Sequence, residues 1–171
     1  MLKKTAKKMK KSLLPVAVWL ATMAGTGHLK PAPGTWGSAA AALILLIWIN
    51  AAGEPPREIF IGALVILFLV GWWATFLAQK ALKRVDPPQV VIDEWVGLWV
   101  AVLFFPLDVY SIVWAFLFFR LFDIWKPWPI GLIDRKLKNA LGVMLDDVVA
   151  GLYAAAALYG VLWGLDSVMR L

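Results

Sequence analysis

Long uncharged stretches between charged residues are the feature that most restricts how this chain can fold. Residues 31–53 and 59–79 contain no Asp, Glu, Lys or Arg over 23 and 21 residues, and residues 148–165 contain none over 18. About 20 apolar residues in a helix span the ~30 Å hydrocarbon core of a bilayer. A helix also satisfies its own backbone hydrogen bonds, as lipid requires. The sequence therefore predicts an all-α integral membrane bundle.

Residues 95–119 allow two interpretations. One long helix would place Pro106 and Asp108 in the middle of the membrane and would separate the charged clusters on either side. A hairpin of two short helices, about 90–105 and 109–125, keeps those clusters on one face, although each helix is near the lower length limit for a span. We therefore predict a hairpin, and a total of four to five membrane helices.

The N-terminus carries the excess positive charge. Six lysines lie within residues 3–11 of a chain whose net charge is +6, leaving eleven basic and eleven acidic residues elsewhere. Residues 1–12 are therefore predicted to be a basic cytoplasmic tail attracted to anionic lipid, ahead of a single membrane-embedded catalytic domain at 13–171. Nucleic-acid binding is disfavoured, because no second basic stripe supports the tail. Residues 1–25 resemble a signal peptide, with lysines ahead of an apolar run at 13–25. No clear cleavage site follows, so residues 13–25 favour an uncleaved interfacial or short inserted helix.

The orientation follows from the distribution of basic residues. With the tail in the cytoplasm, residues 36–53 lead outward and residues 59–79 return. Lys80, Lys83 and Arg84 then lie inside, in agreement with the positive-inside rule. The charged clusters that follow are expected on the same cytoplasmic face.

Acidic and basic residues recur where the apolar runs begin and end. A charge beside hydrocarbon is unfavourable, so such residues usually perform chemistry or carry ions. The chain has no cysteine and one histidine, and oxygen ligands of this kind favour Mg²⁺ over zinc. The alternative is structural, with acids marking helix borders and a salt-bridged helix face. The clusters are Asp93-Glu94, Arg120-Asp123-Lys126, Arg135 and Asp146-Asp147.

The Pro- and Gly-rich segment 25–38 precedes the first long apolar run. Thr35 is expected to cap the helix that follows, whose N-terminus offers free backbone N–H groups and a positive dipole to phosphate. Gly34 would let the backbone approach a ligand closely. An ordinary capped loop is the alternative. His28 is expected to be peripheral.

Two glycines follow two of the acids at the same spacing. Gly97 lies four residues after Asp93, and Gly151 lies four residues after Asp147. Residues four apart share a helix face, and small residues let membrane helices pack closely. We therefore expect these two helices to cross at the glycines and bring their carboxylates together.

Taken together, these segments resemble the phosphatidylglycerophosphatase A family, a group of bacterial membrane enzymes. The resemblance runs from about residue 25 to residue 160, and the His28-Leu29-Lys30 loop and the lysine-rich N-terminus depart from it. It is carried by Pro33-Gly34-Thr35-x-Gly37-Ser38, Asp93-Glu94-x-x-Gly97, Phe119-Arg120-x-x-Asp123-x-x-Lys126-Pro127-Trp128-Pro129-Ile130 and Asp146-Asp147-x-Val149-Ala150-Gly151.

The resemblance implies Mg²⁺-dependent hydrolysis of phosphatidylglycerophosphate, an anionic phospholipid, to phosphatidylglycerol at the bacterial cytoplasmic (inner) membrane. The catalytic and metal-binding candidates are Asp93, Glu94, Asp123, Asp146 and Asp147. The phosphate-binding candidates are Lys126, Arg120, Thr35, Gly34 and Arg135. Direct attack by water and an aspartyl-phosphate intermediate are both open, and the sequence does not indicate an oligomeric state.

Two other functions fit the composition less well. A phosphatase for a different lipid phosphate would use the same residues, but the signatures of CDP-alcohol phosphotransferases, haloperoxidase-like phosphatases and haloacid-dehalogenase phosphatases are absent from the sequence. A small cation transporter would need acids near the middle of its spans. Apart from Asp108, the acids here lie at the ends of the runs.

Overall fold

A computed structural model of the chain describes residues 13–169, with side chains described as far as Gly164. This part of the chain is helical and contains no β-strand, so the prediction of an all-α bundle is confirmed. Residues 1–12, predicted to be a basic tail, lie outside the described residues. Residues 13–21 (α1) and a 3₁₀ turn at Thr26–His28 precede six helices. These are α2 (Pro33–Ala52), α3 (Arg57–Leu82), α4 (Ile92–Val102), α5 (Val109–Trp125), α6 (Ile130–Lys136) and α7 (Ala140–Met169).

Three of the described helices are long and apolar enough to cross a membrane: α2, α3 and the Ala140–Gly164 part of α7. At 1.5 Å per residue, α2 is about 30 Å long and α3 about 39 Å, which matches the hydrocarbon core. α2 ends at Ala52 and α3 begins at Arg57, so the chain turns between the two predicted spans. Leu43, Ile66 and Leu69 are exposed large apolar side chains on α2 and α3. Such side chains are suited to contact with lipid.

The predicted hairpin is also confirmed. α4 and α5 are separate helices joined by residues 103–108. Asp108 does not lie within a span. It is the N-cap of α5, and its Oδ1 accepts a 2.7 Å hydrogen bond from the Ser111 N–H. An N-cap oxygen satisfies one of the four free N–H groups of a helix start. This residue therefore begins a helix at the turn of the hairpin.

α4 is the core of the bundle and is shorter than the prediction of residues 90–105. Ten of its eleven residues are buried, and it packs against α2, α3, α5 and α7. A helix of this length is about 17 Å long and does not cross a bilayer by itself. Trp99 of α4 stacks on Phe60 of α3, with a ring-centroid distance of 5.3 Å. The surrounding helices thus shield α4 from lipid, which allows its first turn to hold charged residues.

The helices alternate in direction, so the bundle has two distinct ends. At one end, the Glu54 Oε1 accepts a 3.1 Å hydrogen bond from the Leu107 N–H, which ties the α2–α3 turn to the hairpin turn. At the other end lie the starts of α2, α4 and α7, the end of α5, and α6. α1 docks beside this second end, where the Val91 N–H donates to the Ala21 carbonyl at 2.9 Å. All five carboxylates predicted to be catalytic, Asp93, Glu94, Asp123, Asp146 and Asp147, lie toward the second end.

Candidate active site

A polar cavity of about 420 Å³ opens at this second end of the bundle. It contains seven carboxylates and two cationic side chains, an excess of five formal negative charges. Ion pairing within the protein does not balance this charge, so the cavity is suited to bind cations. The lining residues are Ala32, Pro33, Gly34, Asp86, Pro88, Val90, Asp93, Glu94, Arg120, Asp123, Ile124, Lys126, Asp134, Val143, Asp146 and Asp147.

The first acidic pair lies in the first turn of α4. The sequence predicted a helix from about residue 90. Residues 84–91 form no helix and α4 begins at Ile92, so Asp93 and Glu94 are its second and third residues. The Glu94 N–H donates to the Asp93 Oδ1 at 3.2 Å. The positive end of the helix dipole favours carboxylates at such a position.

The second acidic pair lies well inside α7. Asp146 and Asp147 were expected to open the final span, but α7 begins at Ala140, so they fall about two turns into it. Both are buried, with 5% and 4% of their surface exposed. A helix-border role does not explain carboxylates at this depth. Burial of this kind is tolerated where the charge is paired or binds a metal.

Close contact between α4 and α7 brings the acids together, as predicted from the glycine spacing. A β-carbon on Gly97 would lie 2.6 Å from the Phe119 Cζ and 2.8 Å from the Asp147 carbonyl oxygen. A β-carbon on Gly151 would collide with the Gly97 carbonyl oxygen. Only glycine fits at either position. As a result, Asp93, Glu94 and Asp147 each offer a carboxylate oxygen, and these oxygens lie within 4.8 Å of one another.

Two buried polar atoms in the cavity wall lack a protein partner among the described residues. They are the Oε2 of Glu94 and the Nε of Arg120. An unpaired buried polar atom costs about 1–3 kcal/mol, and more when it is charged. The Arg120 Nη1 does have a partner, the Asp123 Oδ2 at 2.6 Å. Glu94 and Arg120 line the cavity, and each has one buried polar atom that the described residues leave unpaired.

Gly34 lies against both of these side chains. A β-carbon there would collide with the Glu94 Oε1 and would lie 3.1 Å from the Arg120 Nη1. α2 begins at Pro33 with no side-chain cap, and its first helical backbone bond runs from the Trp36 N–H to the Ala32 carbonyl at 3.1 Å. The N–H groups of Gly34 and Thr35 therefore have no acceptor within the helix. This end of α2 has the features of an anion site.

Lys126 crosses the cavity from the end of α5. Its Nζ lies 2.6 Å from the Asp146 Oδ2 and 3.5 Å from an Asp134 oxygen. The backbone of Lys126 is left-handed, with φ 47°, a conformation that costs a non-glycine residue about 1–2 kcal/mol. Burial alone would lower the pKa of Lys126, but the hydrogen bond and the charge of Asp146 outweigh it and raise the pKa above its usual value. The ammonium group therefore stays charged.

Asp86 and Asp134 line the cavity and were not among the predicted site residues. Asp134 lies on α6, where it also approaches the Lys138 Nζ at 3.9 Å. Asp86 lies in the loop after α3. Burial is the main cause that raises the pKa of Asp86; Lys126 lowers this pKa, and the charge of Asp134 raises it. Neither residue belongs to the charged clusters from which the candidate site residues were predicted.

Three residues considered from the sequence do not line the cavity. Thr35 does not cap α2, because Ala32 is the N-cap and Thr35 is already in the first turn. Arg135 is exposed, and its Nε donates to the Gly131 carbonyl at 2.8 Å. His28 is exposed in the 3₁₀ turn. The structure brings together the other candidate residues: Asp93, Glu94, Asp123, Asp146, Asp147, Lys126, Arg120 and Gly34.

Comparison with known proteins gives one consistent family. A family model described as Phosphatidylglycerophosphatase A matches residues 19–162. The chain is 38% identical to the protein of that name from Haemophilus influenzae over 154 residues, covering 88% of this chain and 91% of the relative. It is 33% identical to the one from Escherichia coli K12 over 141 residues, covering 82% and 80%.

A third relative carries a different name. It is a Bacteroides thetaiotaomicron protein provisionally named phosphatidylinositol-3-phosphatase, 37% identical over 150 residues, with 84% of this chain and 90% of the relative covered. No solved structure matches the chain.

Proposed function

Because the chain belongs to the phosphatidylglycerophosphatase A family, we propose that it hydrolyses phosphatidylglycerophosphate to phosphatidylglycerol and inorganic phosphate. One structural observation supports this proposal independently of the family. Glu94 and Arg120, each of which has one unpartnered buried polar atom, flank Gly34 in an acidic cavity at the end of a bundle of apolar helices. This arrangement suits a phosphate group carried by a membrane lipid.

The cavity chemistry fits a bound Mg²⁺ ion. A phosphomonoester is a dianion, and a cavity with five excess negative charges would repel it without additional cations. Asp93, Glu94 and Asp147 would hold the ion, because their oxygens cluster and Glu94 has an unpartnered oxygen. Bound Mg²⁺ polarises phosphate oxygens and lowers the pKa of water. Carboxylate ligands without thiolates favour Mg²⁺ over softer metals.

The basic groups of the cavity would bind and orient the phosphate. Arg120 offers its free Nε–H, and the Asp123 carboxylate fixes the guanidinium through its 2.6 Å bond to Nη1. The N–H group of Gly34, which lines the cavity, would donate to the same phosphate. Thr35 does not line the cavity and has no such role in the proposal. Lys126 supplies a permanent positive charge opposite Arg120, and Arg135 has no such role in the proposal.

The reaction proceeds by attack of a water oxygen on phosphorus. The bond between phosphorus and the glycerol oxygen breaks, the glycerol oxygen gains a proton, and inorganic phosphate is released. The cavity carboxylates, Asp146 and Asp123 included, would position the water and accept its proton. The alternative is attack by a carboxylate, which forms an aspartyl phosphate that water then hydrolyses. Trapping of a phosphorylated chain during turnover would contradict direct attack.

We further propose that the cavity faces the cytoplasm from the bacterial inner membrane, and that residues 13–171 form the catalytic domain. Lys80, Lys83, Arg84 and Lys136 lie near the cavity end of the helices. At the opposite end, the residues that the structure describes include one basic residue, Arg57 at the start of α3. Lysine and arginine concentrate on the cytoplasmic side of membrane proteins. The lipid would then enter from the cytoplasmic leaflet.

The assay for this proposal is phosphate release by purified protein in mixed micelles. We expect release from phosphatidylglycerophosphate with Mg²⁺ present. Arg120→Gln should lower the rate by on the order of 10²-fold, because it removes a charged donor to the phosphate. Lys138→Gln, which alters an exposed lysine that does not line the cavity, is the matched control. Equal rates for Arg120→Gln and wild type would refute the phosphate role of Arg120.

A second candidate substrate is phosphatidylinositol 3-phosphate, favoured by the name of the Bacteroides relative. It also carries a phosphomonoester on a lipid headgroup, so the same residues would serve. Parallel assays of the two lipids distinguish the candidates. A higher kcat/KM for the inositol lipid would replace the first substrate while leaving the phosphatase chemistry intact.

A further inference from the structure

A second, apolar groove lies between α2 and α5 on the outer surface of the bundle. Its volume is about 200 Å³. Ala39, Ala42 and Leu46 of α2 form one wall, and Ile112, Val113 and Phe116 of α5 form the other. Residues 39–42 of α2 are all alanine, and the groove lies where these small side chains are followed by the larger Leu43 and Leu46. The comparisons and the proposed chemistry assign no role to this groove.

The groove is collinear with the polar cavity. Along α5, Ile112, Phe116 and Arg120 recur every four residues, so they share one helix face. The first two line the groove and Arg120 lines the cavity. Along α2, Ala39 lies seven residues, or two turns, beyond Ala32 of the cavity wall. The groove therefore lies between the same two helices as this wall of the cavity, one to two turns deeper along the bundle.

Ile124 of α5 lines the cavity one turn beyond Arg120, on the side away from the groove, and 70% of its surface is exposed. The cavity and the groove together cover the twelve residues from Ile124 to Ile112, or about 18 Å of helix, close to the ~15 Å depth of one bilayer leaflet. A lipid whose phosphate lies in the cavity could thus extend one chain into the groove within its own leaflet.

Other lateral routes out of the cavity are closed. Between α5 and α7, Phe122 packs on Tyr153, and the Tyr153 hydroxyl donates to the Trp128 carbonyl at 3.0 Å. Between α3 and α7, the Met144 side chain packs against Gly71.

The gap between α2 and α3 is also closed. The loop before α4 fills it, and Val91 of that loop packs against Gly37 and bonds to α1. Among the described residues, the α2–α5 side is where an apolar groove lies deeper along the helices that form the cavity wall.

We propose that the α2–α5 groove binds an acyl chain of the lipid substrate and thereby positions its phosphate in the cavity. This proposal rests on the proposed function, because it assumes that the substrate is a lipid phosphate. Lipid tails are as apolar as the groove, so the hydrophobic effect adds little here. The groove acts through shape, by fixing where the chain leaves the headgroup.

The test is to fill the groove with Ala39→Leu and, separately, Ala42→Leu. Leucine favours helix, and both positions are only partly buried, so the variants should fold. Ala156→Leu is the matched control, since Ala156 lines a different apolar depression on α7. Each protein is assayed with dioleoyl and with dibutanoyl phosphatidylglycerophosphate, and its thermal unfolding is recorded.

We expect the two groove variants to lose roughly tenfold in kcat/KM for the dioleoyl relative to the dibutanoyl lipid, because small misplacements of a reacting group slow reactions strongly. Ala156→Leu should keep the wild-type ratio. Unchanged ratios in both groove variants, or an equal loss with both lipids, would overturn the groove assignment. If the wild type released phosphate from neither lipid, the proposed function would fail instead.

A direct measurement separates the two proposals further. Dioleoyl phosphatidylglycerophosphate with a photoreactive group in mid-chain should label residues 39–46 and 112–116 in preference to the region around Ala156. A phosphatidylcholine with the same chain should label these regions evenly. Even labelling by both lipids would overturn the proposal regardless of the kinetic result.

Discussion

The close contact between α4 and α7 predicts that adding a single methyl group at Gly97 or Gly151 strongly reduces activity. Gly97→Ala would place a β-carbon 2.6 Å from the Phe119 Cζ and 2.8 Å from the Asp147 carbonyl oxygen. Ordinary contacts between such atoms are about 3.5–4.0 Å, so the helices must separate by about 1 Å. Because Asp93 and Glu94 lie on one helix and Asp147 on the other, the three carboxylates would move apart by a similar distance. Misplacement of about 1 Å can reduce a rate by on the order of 10²-fold.

The effect on stability has two opposing parts. Overpacking costs about 1–3 kcal/mol, whereas replacing glycine by alanine inside a helix gains about 1 kcal/mol. The net loss of stability for Gly97→Ala is therefore expected to be at most about 2 kcal/mol, and the protein should still fold. Activity should fall far more than stability. Gly151→Ala, which collides with the Gly97 carbonyl oxygen, should behave in the same way.

Gly62 and Gly160 provide matched controls. A β-carbon at either position would meet no atom within 4 Å. Their alanine variants should keep wild-type activity and equal or exceed wild-type thermal stability. Phosphate release and thermal unfolding in detergent are measured for all four variants. If Gly97→Ala and Gly151→Ala stayed within twofold of the control variants in activity, the close packing of α4 and α7 would not be what assembles the site.

Three further substitutions test other parts of the account. Gly34→Ala should lower kcat/KM by roughly tenfold or more, because its β-carbon would displace the Glu94 carboxylate; an unchanged value would remove Gly34 from the phosphate site. Lys126→Ala should lower the rate by on the order of 10²-fold, since a permanent charge beside the phosphate is lost, while Lys138→Ala should have little effect; similar rates for both would contradict the assignment. Glu54→Ala leaves the Leu107 N–H without its acceptor and should lower the free energy of unfolding by about 1–3 kcal/mol, with an unchanged KM; an altered KM with unchanged stability would argue against a purely structural tie at the far end.

The helical spans and the hairpin could be predicted because charge placement in lipid is strongly constrained. In lipid, the uncharged residues 31–53 and 59–79 have little alternative to a helix. The hairpin followed from keeping the charged clusters on one face. The glycine spacing after Asp93 and Asp147 predicted a crossing, since small residues are the means by which membrane helices approach closely.

Helix boundaries were less predictable, for physical reasons. Thr35 was a plausible N-cap, but Pro33 has a fixed φ that suits a first helical position, so α2 starts earlier. Asp146 and Asp147 looked like border acids, yet α7 extends two turns before them because packing against α4 and α6 stabilises that segment. Helix propensity alone does not report such tertiary contacts.

Two cavity residues, Asp86 and Asp134, were not predicted from the sequence because they reach the cavity through the folding of loops. Asp134 reaches the site because the chain reverses after Lys126 and α6 folds back over the cavity. Asp86 reaches it because the loop after α3 lies beside the start of α4. Neither path has a short-range sequence signature. Arg135 is next to Asp134 in the sequence, but its side chain bonds to the Gly131 carbonyl instead of lining the cavity. Adjacent residues on a helix point in different directions.

The most direct test of the central claim is the Mg²⁺ dependence of phosphate release from phosphatidylglycerophosphate by the wild type and Asp147→Asn. Asp108→Asn is the control, because asparagine also serves as an N-cap at the far end of the bundle. We expect wild type and Asp108→Asn to release phosphate with Mg²⁺ and to stop with EDTA, and Asp147→Asn to lose activity by on the order of 10²-fold or more. Undiminished phosphate release in EDTA, or a fully active Asp147→Asn, would contradict a metal-dependent phosphatase site built from these carboxylates.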